Sequence, residues 1–157
     1  MKNIPLKLFI LFAVASNIAL TSIANAGTVA LSFEKVIVPE APPVASVMVA
    51  YMNIKNNSNQ KQTITEIISP QFKRVEIHKM SMANGMMDMK QLKTLSIQAK
   101  KTIVLETGGL HIMLIKPIKP LKNDDEVELT FKLLSGELTT VSTHVKQIDL
   151  TNTHQHH

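Results

Sequence analysis

The chain has 157 residues, 45% of them hydrophobic and only 4% aromatic, with a formal net charge of +5 and no cysteine. That length suits one domain, and the hydrophobic content is too high for a disordered chain. The missing cysteines exclude disulfides, thiolate zinc sites, dithiol redox chemistry and a cysteine nucleophile, and the shortage of aromatics removes the stacking platforms that single-stranded nucleic acid needs.

The first element in chain order is a leader. Residues 1–26 read MKNIPLKLFILFAVASNIALTSIANA. Lys2 and Lys7 form a short basic region, an apolar run follows from Leu8 to Ile23, and Ala24-Asn25-Ala26 is a small-x-small cleavage site. This is the pattern of a secretory signal peptide. The apolar run is interrupted and falls short of the roughly 20 residues of a membrane span. Cleavage after Ala26 predicts a periplasmic chain, residues 27–157, with no membrane span. Loss of Lys2 and Lys7 lowers the formal net charge from +5 to +3. No Lys/Arg run is long enough to read as a nucleic-acid patch, so no nucleic-acid partner is expected. An exported domain without disulfides must fold on its hydrophobic core alone, which a chain of this size can supply.

The mature chain reads as short strands. Residues 27–38 (GTVALSFEKVIV) are strand-like until Pro39, Pro42 and Pro43. Residues 44–54 (VASVMVAYMNI) are β-rich, 55–62 (KNNSNQKQ) a polar turn, and 63–68 (TITEII) a strand stopped by Ser69-Pro70. Residues 74–78 (RVEIH) alternate polar and apolar. Segments 92–97, 102–105 and 110–115 are further strands, with Pro117 and Pro120 interrupting. Residues 126–134 (EVELTFKLL) alternate again, and 138–145 (LTTVSTHV) follow a Ser135-Gly136 turn. No helical period is sustained over three turns. Eight or nine short strands at regular spacing predict an all-β protein, a sandwich or a barrel. One domain, 27–150, is expected, followed by a polar tail, 151–157.

Four side chains carry the candidate chemistry: His78, Met89, His111 and Met113. In the strand LHIMLI, side chains alternate between faces. Leu110, Ile112 and Leu114 read as core, while His111, Met113 and Ile115 point away from it. Asn84-Gly85 is a strong two-residue hairpin signal. With those two in the loop, Ala83 pairs with Met86, Met82 with Met87, Met80 with Met89, and His78 lies opposite Gln91. His78 and Met89 are then diagonal neighbours, about 7–8 Å apart at the backbone. Methionine is an ordinary gap filler in cores, but Lys79, Ser81, Asn84 and Asp88 are interleaved here and argue for exposure. Thioether is a soft ligand that, with imidazole, selects Cu(I). Zinc would want thiolate, more imidazole or carboxylate, and calcium an oxygen cage.

The spacing His, ten residues, Met, twenty-one residues, His, one residue, Met is complete at His78, Met89, His111 and Met113. With VASVMVAYMNIKN at 44–56, RVEIHKMSMANGMMDMKQL at 74–92 and GGLHIMLIKPIKPLKNDDEVELTFKL at 108–133, the chain resembles the periplasmic copper chaperones called PCu(A)C, formerly a domain of unknown function. The likeness covers roughly residues 28–147. It implies an all-β, antiparallel β-sandwich of cupredoxin-like or immunoglobulin-like type with one surface Cu(I) site built by those four residues. It also implies delivery of copper toward the CuA centre of respiratory oxidase. The implied partners are a copper-accepting oxidase subunit or a thioredoxin-like copper assembly protein. Met80 matches no required position but falls close enough to assist.

The tail ends His154-Gln155-His156-His157. Three imidazoles in four residues suit Cu(II) or Ni(II), and a Cu(II) site is expected there. His144 reads as structural, and the protein as a monomer. An enzyme is not expected: no GxSxG, HExxH or Ser-His-Asp order is present. A blue-copper electron carrier needs a cysteine thiolate, which the chain lacks. The competing readings are periplasmic copper storage or resistance, and an interaction module without metal.

Overall fold

The computed structural model describes residues 29–83 and 85–148, with the side chain of Ala83 left out; the leader and the tail lie outside the described residues. Ten strands and no helix make up this part: β1 (Leu31–Pro39), β2 (Val47–Asn56), β3 (Gln62–Ile68), β4 (Phe72–Ala83), β5 (Met86–Leu92), β6 (Leu95–Ile97), β7 (Thr102–Leu105), β8 (Leu110–Pro117), β9 (Glu126–Leu133) and β10 (Leu138–Lys146). They hydrogen-bond in the order β5-β4-β8-β2-β1-β10-β9-β3-β6, with β7 beside the second half of β2.

Period-two alternation explains the packing. In β2, Met48, Ala50, Met52 and Ile54 are buried, and in β9 Val127, Leu129, Phe131 and Leu133 are. Each of these side chains larger than alanine contributes about 1.5–3 kcal/mol on leaving water. Residues of β4-β8-β2 and of β10-β9-β3-β6 face each other across one aliphatic core. Phe33 on β1 and Phe131 on β9 meet in it at a ring-centroid distance of 4.4 Å.

One joint departs from the antiparallel expectation. β1 pairs with β2 at residues 31–34, shifts register before Ile37, and then runs parallel to β10 at Val38↔Val145 and Pro39↔Lys146. Lys35 sits in the shift with a positive φ of 53°, as a residue in a bulge often does. β1 thereby passes from one layer to the other, and the sheet is mixed. A second device pins the edge of the core. Asn56 is fully buried; its amide nitrogen donates to the carbonyls of Gln60, Ile97 and Gln98, and its side-chain oxygen accepts from the Ser58 backbone and hydroxyl.

A candidate soft-metal centre

The β4–β5 hairpin takes the register that Asn84-Gly85 predicts. Ala83 pairs with Met86, Met82 with Met87, Met80 with Met89, and His78 with Gln91. Gly85 has φ 76°, the left-handed conformation such a loop demands. Ile77 turns into the core, so by alternation Glu76, His78, Met80 and Met82 lie on the outer face of the sheet. Met82, Met86, Met87 and Met89 are all exposed, Met89 by 50%.

On its other side β4 pairs with β8, which sets His78 opposite His111 and Glu76 opposite Met113. Ile112 and Leu114 fill the core, as expected of their face. The two imidazole centroids are 6.0 Å apart. Met113 is diagonal to His78 through β8, and Met89 is diagonal to it through β5, each about 7–8 Å at the backbone. The three strands thus bring His78, Met89, His111 and Met113 onto one patch, with Met80 between His78 and Met89.

The patch is more recessed than residues simply pointing away from the core would be. His111 is buried, at 6% exposure, and the His78 side chain is 13% exposed, whereas Met113 is partly buried and Met89 is open to solvent. Imidazole below and thioether above makes a site closed on one side and accessible on the other.

Hydrogen bonds fix which ring nitrogens are free. The His78 Nε2 lies 2.9 Å from Glu76 Oε2, and Glu76 Oε1 forms an ion pair with Arg74 Nε at 3.0 Å. An ionised carboxylate only accepts, so Nε2–H donates and the lone pair of neutral His78 sits on Nδ1. That Nδ1 is buried and has no hydrogen-bond partner. In His111, Nδ1–H donates to the Gly109 carbonyl at 3.2 Å, which leaves the lone pair on Nε2. Backbone and carboxylate contacts of this kind commonly orient metal-ligating histidines. Glu76 and Gly109 were not singled out in the sequence. The Glu-x-His pattern at 76–78 places two side chains on one strand face, but their contact depends on burial that spacing does not reveal.

The donors are soft. Among the described residues no three His, Cys, Asp or Glu side chains group as a metal site, so the patch depends on thioethers mixed with imidazole, a set that suits Cu(I). His144 stands apart, exposed on β10 opposite Glu126. His154, His156 and His157 and the leader lie outside the described residues, and among those residues no helix is long and apolar enough to cross a membrane.

Comparison with known proteins adds a family and a fold. The family model named LpqE-like, after a lipoprotein, matches residues 31–145. Among solved structures, the Cu(I) form of DR1885 from Deinococcus radiodurans is 28% identical with a TM-score of 0.62, covering 79% of this chain and 83% of that one. The apo form of DR1885 is 25% identical with a TM-score of 0.59, covering 92% and 97%. The copper-bound PCuAC domain of PmoF2 is 14% identical with a TM-score of 0.64, covering 78% and 97%, a likeness of fold. No curated protein matches.

Proposed function

The chain belongs to the LpqE-like family, of PCuAC type, and we propose that it is an exported copper chaperone that binds Cu(I) through His78 Nδ1, His111 Nε2 and the thioethers of Met89 and Met113. The observation that carries this reading is the buried, unpartnered His78 Nδ1, held by Glu76 on the same face as the thioethers. Burying a polar atom without a partner is costly; a metal ion relieves that cost. The Cu(I) of the DR1885 structure supports the same cargo.

The geometry also suits release. Two imidazoles and two thioethers contain no thiolate anion, so a cysteine-based recipient binds Cu(I) more tightly and transfer runs downhill. Half-exposed Met89 is the side from which an incoming ligand of the recipient can replace a thioether, and this favours delivery over storage. The recipient in this reading is the CuA centre of respiratory oxidase, reached directly or through a thioredoxin-like assembly protein. The protein is a carrier rather than an enzyme, sent to the periplasm by its leader. The tail's His154, His156 and His157 offer a separate nitrogen site for Cu(II).

X-ray absorption on the Cu(I)-loaded protein tests the centre: mixed nitrogen and sulfur scattering is expected, and an all-nitrogen or all-oxygen shell sinks it. Removing residues 151–157 should abolish one Cu(II) equivalent and leave Cu(I) binding unchanged. Equal Cu(II) stoichiometry in both proteins ends the tail's role.

A further inference from the structure

The hairpin carries more thioether than the proposed centre uses. Met80↔Met89 and Met82↔Met87 form two successive rungs on its outer face. The Met80 N–H donates to the Gly109 carbonyl, away from β5. In an extended strand a residue's N–H and C=O point to the same edge, so toward β5 Met80 is a non-hydrogen-bonded position, and so is Met82 two residues on. Pairs of that kind are the close ones, about 4.5 Å between Cα atoms, with side chains in contact range. The rungs are about 7 Å apart along the strand, within the span of flexible methionine side chains.

Packing does not account for the outer rung. Met82 and Met87 are each 72% exposed, and β5 is an edge strand. Met86 is equally exposed, at 71%, but pairs with Ala83 and so projects from the opposite face of the hairpin, without a methionine across from it.

We propose that Met82 and Met87, with Met80 as third thioether, form a second Cu(I) site, the position at which the ion lands before it moves inward to the histidines. Three neutral thioethers are soft donors matched to Cu(I) and need no deprotonation. Inward movement is ligand exchange: a Cu–S bond to the outer rung breaks as a bond to Met89 or a histidine forms, with no change in oxidation state. The second site stands on the hairpin geometry alone; only the direction of travel rests on the copper reading above.

The test uses the full chain with 13C-labelled methionine methyls, titrated with Ag(I) as a redox-inert stand-in for Cu(I). The first equivalent should shift the Met89 and Met113 methyls, and the second those of Met82 and Met87, while Met86 stays still. If Met113 does not move but Met82 and Met87 do, the inner centre is wrong and the outer site stands. If Met82 and Met87 stay unmoved through two equivalents, the exposed methionines are an apolar contact surface and the proposal fails. It fails too if Met86 moves with them, since any exposed thioether then binds. The double variant Met82→Leu, Met87→Leu should lose the second Ag(I) equivalent, keep the first, and load more slowly from a Cu(I) chelate. Retained stoichiometry overturns the site, and an unchanged loading rate overturns its landing role.

Discussion

Glu76 decides which nitrogen of His78 keeps its lone pair free for the proposed metal. It accepts from Nε2 and is itself held by Arg74, so the tautomer is imposed rather than chosen. Glu76→Gln keeps size and hydrogen bonding but can donate as well as accept, and the constraint is lost. Changes to such supporting groups typically cost about 10–100-fold in metal affinity, and that loss in Cu(I) affinity is expected here. Nitrogen-15 spectra should show His78 changing from a single tautomer to a mixture; an unchanged tautomer would remove Glu76 from the account. Met113 allows the complementary experiment. Met113→Leu roughly conserves volume, and such swaps usually cost less than about 1.5 kcal/mol even in a core. Copper affinity should fall while the apo melting temperature barely moves; unfolding with binding intact would make Met113 a packing residue. At this scale the spacing of His78, Met89, His111 and Met113 was legible because alternation assigns faces. The carboxylate was not, because its contact with His78 depends on burial that spacing does not reveal.

The hairpin element was legible down to its register, since Asn84-Gly85 admits few loops. The start of β4 was less so: the alternation is read from Arg74, whereas the strand begins at Phe72. Likewise the stretch read as a single strand over 92–97 divides between β5, which ends at Leu92, and the short β6 beside β3. Gly85→Val tests the hairpin as a unit. The left-handed φ of 76° costs an L-residue roughly 1–2 kcal/mol. A Cβ there meets nothing within 4 Å, so the cost is confined to the backbone. The turn should fray and the Met80–Met89 rung loosen. Cu(I) affinity should drop, with only a small fall in global melting temperature because β5 reaches the core only through partly buried Leu92, at the end far from the turn. A large fall in melting temperature with affinity retained would mean that the hairpin supports the fold and not the centre.

Across the molecule, the proposed metal centre and the core occupy opposite faces of one sheet. Ile77, Ile112 and Leu114 turn inward from the same strands that turn His78, His111 and Met113 outward. The sandwich was legible in the alternation of β2 and β9. The parallel β1–β10 joint was not, because a bulge at Lys35 and a pairing more than a hundred residues away in sequence leave no local pattern. This division of faces makes stability and affinity separable. Phe131 is fully buried in the opposite layer and stacks on Phe33. Phe131→Ala removes the largest fully buried side chain and should cost about 3–5 kcal/mol, cavity included. Affinity for Cu(I), measured under conditions where the variant is still folded, should match the parent's, since no strand of the centre touches that position in register. Copper binds the folded state alone in this account, so saturating it should raise the melting temperature of parent and variant by the same free energy, about 2.7 kcal/mol at a hundredfold excess over Kd. Parallel calorimetry with and without Cu(I) measures both quantities. If the variant gains markedly less from copper than the parent, the core between the layers sets the geometry of the outer face, and the two functions are coupled through the sheet.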